Sequence, residues 1–474
     1  MLFCSQPFLL FFAAVFAAHW LLPWQRARVW LLLACSFGFY ASWNVSLAGL
    51  ICATTAADYT LARLIDRATA PRPRKLLLAA SVVMNLGLLA YFKYANFFLQ
   101  SLEEAVRAAG GSAALPVLRV VLPIGISFYT FEAISYTVDV YRRRIPAEKN
   151  LAHFMLFILF FPHLIAGPIV RARDYLPQIR RRKRWDWARL NLGLQLFLVG
   201  VVKKLVIADR LALLVDPVFA DPARYSTTTL WTATLAWAIQ VYCDFSGYTD
   251  MALGCAHMLG YKLPQNFDMP YLAANIAEFW RRWHITLGSW LRDYLYFPLG
   301  GSRCGEWKTA RNLLITMLLA GLWHGAAWTY VVFGLLQAAM LIAHRRIRAF
   351  SNARPALSGR LRAVPGTALR VGFTFSCFCL TLVVFRAATL AVAGEFYAGM
   401  FRPRGGEGPP IPVDYLWYFV ALAAVAHAAG KLGLWRRLVF RLPAPVSGFG
   451  YGLGLSLALM LAADSGRAFV YFQF

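Results

Sequence analysis

Residues 313–342 read LLITMLLAGLWHGAAWTYVVFGLLQAAMLI, a run without one Asp, Glu, Lys or Arg. A helix needs roughly 20 apolar residues to cross a bilayer, so the run is membrane-length. A histidine, His324, stands in its middle between Trp323 and Gly325. It lies eleven residues after Leu313, which at 1.5 Å per residue is about 16 Å into the segment, near mid-depth. A buried cation is expensive there, so the imidazole is expected to be neutral, with one ring nitrogen able to accept a proton. A neutral imidazole sheltered from bulk water is suited to general base chemistry on a hydroxyl. Gly321 and Gly325 leave room for another backbone or a substrate. The alternative is a packing histidine bonded to a neighbouring helix carbonyl. An ionisable group inside a membrane weighs the reading towards function.

The rest of the chain has the same character. Its 474 residues are 59% hydrophobic, and aromatic and charged residues each make up 15%. Soluble globular proteins carry about 25% charged residues, so this is a multi-spanning membrane protein without a large soluble domain. The formal charge of +26 would in a soluble protein point to nucleic acid. Here the basic residues fall in short clusters between apolar runs: Arg26 and Arg28, Arg63–Lys75, Arg142–Arg144, Arg171–Arg184, Arg345–Arg348 and Arg436–Arg441. That is the pattern of cytoplasmic loops under the positive-inside bias, next to anionic lipid headgroups, and no nucleic-acid partner is expected. The eight cysteines form no CxxC pair and no His/Cys ligand cluster, so neither a disulfide framework nor a metal site is indicated. Pro7–Leu22 has its basic residues after it, the reverse of a cleavable signal peptide, and reads as a retained first helix.

Further candidate spans are Val29–Leu64, Leu76–Phe98, Val117–Val138, Leu151–Val170, Leu190–Ala208, Leu230–Leu259, Val371–Val392, Val413–Ala429 and Val446–Ala463. Val29–Leu64 is too long for one crossing, and Ser42–Asn44 offers a turn that makes it a hairpin. The expected fold class is an all-α polytopic membrane protein of about 10–12 crossings. The stretch 264–303 breaks the pattern, combining aromatics with charges that are costly in hydrocarbon. On a helix over 278–293, Glu278, Arg281, Arg282, Ser289, Arg292 and Asp293 share one face, with Phe279, Trp283, Leu287 and Trp290 opposite. Ile285 is the misfit, and His284 falls on the flank of the apolar side. Glu278 and Arg282 are spaced to pair. The reading is an amphipathic or re-entrant helix, with a membrane-surface anchor as the alternative.

The other histidines are less informative. His19, His344 and His427 read as interfacial residues and His257 as a helix-end residue, while His163 follows Pro162 where a helix is interrupted and is a candidate cavity-lining group. Asp244 lies deep in Leu230–Leu259 and needs a donor, for which Arg281, Arg282 and His284 are candidates. Ser246–Gly247 is a possible helix break. HxxxxD, HExxH, Walker A and GxSxG patterns are absent, which argues against glycerolipid acyltransferase, zinc protease, ATPase and serine hydrolase chemistry.

Several blocks together resemble the membrane-bound O-acyltransferase (MBOAT) family, in its bacterial alginate O-acetyltransferase branch. They are PIGISFYTFEAISYTVDVYR (123–142), FFPHLIAGPIVRARDY (160–175), GLQLFLVGVVKKLVIADR (193–210), VYCDFSGYTDMALG (241–254), LPQNFDMPYLAANIAEFWRRWHITLGSWLRDYLYFPLGG (263–301), NLLITMLLAGLWHGAAW (312–328) and the terminal VYFQF. The resemblance implies one MBOAT membrane domain over 1–474, a ring of tilted helices with re-entrant pieces around a central funnel. It implies His324 as the catalytic base and His284 as the second catalytic position. Asp244, Asn266, Arg281, Trp283 and Trp323 would line the route of substrate or acyl donor. It implies acetyl-CoA as a cytoplasmic thioester donor and a periplasmic acetyltransferase partner within a polysaccharide-synthesis and export complex. The location would be the bacterial inner membrane, and the product an O-acetylated exopolysaccharide such as alginate or cellulose, or alternatively peptidoglycan. Gln337 stands where relatives often carry a histidine, and the chain is compact between Glu395 and Asp414. A transporter, or a non-catalytic scaffold of an export complex, is the competing reading from another class; an inverted hydropathy repeat, which would favour transport, is not apparent.

Overall fold

A computed structural model of the protein describes residues 3–112, 115–354, 359, 363–433 and 442–462. The cluster Arg436–Arg441, the end of the candidate span Val446–Ala463 and the terminal VYFQF lie outside the described residues. Among the described residues the regular elements are helical, and a lone β-bridge joins Tyr225 to Glu407. The expected all-α class holds. In chain order the helices are α1 Gln6–Leu21, α2 Gln25–Ala41, α3 Val45–Arg67, α4 Pro71–Leu89, α5 Ala95–Ala108, α6 Ile126–Tyr141, α7 Leu151–Leu159, α8 Phe161–Leu164, α9 Ala172–Arg180 and α10 Trp187–Val201. There follow α11 Asp209–Ala220, α12 Thr227–Met258, α13 Ile276–Arg282, α14 Ile285–Leu291, α15 Glu306–His324, α16 Trp328–Asn352, α17 Val364–Arg386, α18 Leu390–Phe401, α19 Asp414–Lys431 and α20 Ala444–Met460. Three π-helical turns interrupt them, at Ala90–Tyr94, Val202–Ala208 and Arg292–Tyr296. Among the described residues, Val45–Arg67, Pro71–Ala108 and Val364–Arg386 are long and apolar enough to cross a membrane unaided.

The chain divides into two compact units, Met1–Phe197 with Thr249–Pro264, and Leu198–Tyr248 with Gln265–Phe474. In the first, α2 and α3 form the expected hairpin, turned at Ser42–Asn44, with Asn44 capping α3 by accepting the Leu47 N–H at 3.0 Å. A fully buried carboxylate, Asp58, ties helices together: Ser81 Oγ donates to it at 2.6 Å and Asn85 Nδ2 at 2.8 Å, both from α4. Ser81 also lies 3.2 Å from Thr137 Oγ1 of α6. His163 is buried, with Nδ1 3.3 Å from Glu132 Oε1, which also accepts the Val170 N–H at 2.8 Å. The interruption expected at Pro162 is present: the span Leu151–Val170 breaks at Phe160, between α7 and α8. His19 is also buried within the protein.

In the second unit two expectations change. The run Leu313–Ile342 is not one helix: α15 ends at His324, Gly325–Ala327 is extended or turned, and α16 starts at Trp328. The two helices form a tight hairpin whose approach depends on two glycines. A Cβ on Gly321 would lie 2.2 Å from Tyr330 O, and one on Gly334 2.5 Å from Met317 O. The space beside His324 that the sequence left open to a backbone or a substrate is therefore taken, at Gly321, by α16. The second change concerns 278–293, which is two short helices with a corner at Trp283–His284. That corner explains the misfit of Ile285, which begins a new helix instead of continuing the old face. Ser246–Gly247, by contrast, does not break α12, because Gly247 serves a close approach: a Cβ there would lie 2.8 Å from Gly200 O.

Candidate functional site

The hairpin α15–α16 and the corner α13–α14 belong to the second unit, and both open onto one cavity of about 260 Å³. Its lining includes His284, His324, Arg281, Arg292, Thr316 and Met317, and otherwise is mostly apolar, with neither Asp nor Glu among the described residues that line it. Arg281 and Arg292 are exposed, whereas His284 and His324 retain 1% and 5% of their accessible surface. The cavity thus runs from a cationic edge to two buried imidazoles.

Aromatic rings fix both imidazoles. His324 meets Phe385 of α17 edge-on at 5.2 Å between centroids and Phe333 of α16 at 6.4 Å. Its neighbour Trp323 lies 5.1 Å away and also faces His284 at 5.5 Å, so one indole backs both rings. The other wall of His284 is Phe245 of α12, perpendicular at 4.7 Å. Rings packed this way restrict the imidazoles to few rotamers. The backbone differs at the two sites. His324 is the last residue of α15, while His284 has φ 44° and ψ 54°, a left-handed conformation rare outside glycine and asparagine.

The other residues singled out from the sequence fall into two groups. Arg281 lines the cavity and Trp323 backs the histidines. Trp283 instead packs with Phe279 (5.6 Å), Phe267 (5.1 Å) and Phe378 (5.6 Å) in an aromatic cluster beneath the corner. Asn266 is fully buried and bonded to Thr286. Asp244 pairs with Lys204 at 2.6 Å, a donor that was not among the candidates offered by the sequence, and Lys204 also meets Asp209 at 2.9 Å. The Glu278–Arg282 pair forms as expected, at 2.7 Å. Gln337, the departure from the family pattern, is fully buried: it accepts from Trp280 Nε1 at 3.2 Å and donates to Thr381 Oγ1 at 2.8 Å, which joins α13, α16 and α17.

Sequence reasoning missed Lys204, Asp209 and the aromatic walls Phe245 and Phe385. A signal for the first two was present, since Lys204 is a cation within the apolar run before Asp209 and demands a buried counter-charge.

These features define a multi-pass helical membrane protein whose second unit encloses two histidines on one apolar cavity. A family model for the membrane-bound O-acyltransferases matches residues 12–385. The chain belongs to that family and is an O-acyltransferase. It is 43% identical over 406 residues to a probable alginate O-acetylase of Azotobacter vinelandii, covering 85% of this chain and 78% of the relative. It is 36% identical over 404 residues to a peptidoglycan O-acetyltransferase of Helicobacter pylori, covering 80% and 74%. Similarity extends to a teichoic acid D-alanyltransferase of Bacillus subtilis, 28% identical over 274 residues, covering 54% and 67%.

Proposed function

We propose that this protein works in a bacterial inner membrane, taking acetyl from a cytoplasmic thioester donor, acetyl-CoA, and delivering it across the membrane for O-acetylation of an exported polysaccharide. The observation that carries the reading is that His284 and His324 share one mostly apolar cavity whose charged lining residues, among those described, are arginines. An exopolysaccharide is favoured over peptidoglycan because the alginate-type relative is the more similar, at 43% against 36% identity. A periplasmic acetyltransferase within a polysaccharide-export complex is the partner that would receive the acetyl group.

His324 acts as general base. It removes the proton of the acceptor hydroxyl, the oxygen attacks the thioester carbonyl, and a tetrahedral oxyanion forms. His284 positions the thioester and donates an N–H to that oxyanion. Collapse breaks the C–S bond, and the proton on His324 passes to the departing thiolate, leaving ester and free thiol. The C-terminal end of α15 beside His324 supplies partial negative charge where the imidazolium develops. The apolar walls exclude water, which would otherwise hydrolyse the thioester.

His324→Ala is expected to reduce transfer to background, a loss of at least about 10²–10⁴-fold, while the protein still inserts and stays monodisperse. His284→Ala should lower turnover less completely. The assay is label transfer from radiolabelled acetyl-CoA in proteoliposomes holding the periplasmic partner and acceptor. Wild-type transfer by folded His324→Ala protein overturns the assignment.

A further inference from the structure

We infer that Asn266 is a positioning residue that caps α14 in place of His284, whose imidazole lines the cavity instead. The inference rests on His284 acting in acyl transfer as proposed above. His284 occupies the N-cap position of α14 but makes no side-chain cap bond. At most helix starts that position is held by Ser, Thr, Asn or Asp, whose side chain is spent on a free N–H of the first turn. Here the bond comes from elsewhere. Asn266 Oδ1 accepts the Thr286 N–H at 3.3 Å and the Thr286 hydroxyl at 2.6 Å.

The same short stretch grips the backbone on both sides of the corner. The Asn266 carbonyl accepts the Ile285 N–H at 2.9 Å, and the Asp268 N–H donates to Arg282 O at 2.9 Å. His284 is one of only three described non-glycine residues with positive φ, with Arg143 and Met269. A residue in that conformation persists only where its surroundings over-determine it. Asn266, fully buried, supplies three of the four bonds that do so. Its Nδ2 makes no bond among the described residues, so the amide acts through its oxygen. The side chain reaches Thr286 and presents an acceptor oxygen to it, which explains an Asx side chain at this position.

The test is a double-mutant cycle on the full chain in proteoliposomes, with acetyl-CoA as donor. Asn266→Leu is expected to lower kcat about 10²-fold through misplacement of His284, with KM for acetyl-CoA unchanged. Asn266→Asp, which keeps an acceptor oxygen in place, should restore most of that loss. In a His284→Ala background Asn266→Leu should cost nothing further, because the group it positions is gone. An additive loss in that background, or a raised KM with kcat intact, overturns the inference. Should Asn266→Leu not fold, Thr286→Val removes only the hydroxyl donor, and its smaller kcat loss must also vanish with His284→Ala. Wild-type turnover by His284→Ala alone would instead refute the catalytic reading of His284 on which the inference stands.

Discussion

At the residue scale, most buried charge in the second unit is concentrated around Lys204. Its ammonium sits between Asp209 and Asp244, all three nearly inaccessible to solvent. An ion in such a place is tolerable only while its partners remain. Lys204 lies in the π-helical turn Val202–Ala208 and Asp244 in α12, so the cluster pins the irregular turn to the helix that carries Phe245. Lys204→Met leaves two carboxylates facing each other without the cation. The expected cost is about 3–5 kcal/mol, read as a large fall in the thermal midpoint in detergent. Replacing both aspartates by asparagine in the same chain should recover a good part of it. A midpoint within a degree or two of wild type for Lys204→Met would show that the cluster does not hold the turn.

At the element scale the hairpin α15–α16 is the decisive piece, since it places His324 at a helix end. Gly321 and Gly334 face each other's helix at distances no Cβ accepts. Gly321→Ala or Gly334→Ala therefore wedges the pair apart, at about 1–3 kcal/mol. Gly372 in α17 has open space around it, and Gly372→Ala should be neutral or slightly stabilising. Thermal midpoints of these variants separate the two cases; an unchanged midpoint for both wedge variants would contradict the packing. The hairpin also shows what sequence can and cannot convey. A long apolar run is equally compatible with one buried helix or two, and the small residues that favour a turn-back act only when a second helix lies against them. The hairpin α2–α3 was legible because Ser42–Asn44 interrupts the apolar pattern with a cap. The corner at His284 left a trace in the misfit of Ile285, but a helical wheel assumes continuity and has no term for a left-handed residue. His324, His284 and Arg281 were legible as types out of place in hydrocarbon. The partnership of Lys204 with Asp244 was not, because forty positions of chain separate them and neither periodicity nor spacing connects them.

At the scale of the whole molecule the dominant property is charge, +26 over the chain. The cavity continues that sign at its edge, with exposed Arg281 and Arg292 and no carboxylate among the described residues that line it. A donor such as acetyl-CoA bears several phosphate charges, and a basic surface raises its local concentration by long-range attraction. That attraction is screened: the Debye length falls from about 30 Å at 0.01 M salt to about 8 Å at 0.15 M. The KM for acetyl-CoA is therefore expected to rise several-fold between these ionic strengths. Acetyl-pantetheine presents the same thioester without the nucleotide phosphates and supplies the contrast. Its KM should be higher at low salt and nearly independent of ionic strength, while kcat for both donors should be unchanged, because on the proposed reading the reacting carbonyl would meet the same two imidazoles. Steady-state kinetics in proteoliposomes of neutral lipid measure this without interference from anionic headgroups. Parallel salt dependence for the two donors would mean that salt acts on the protein itself. No dependence for either would mean that the arginines at the cavity serve the fold and not the donor.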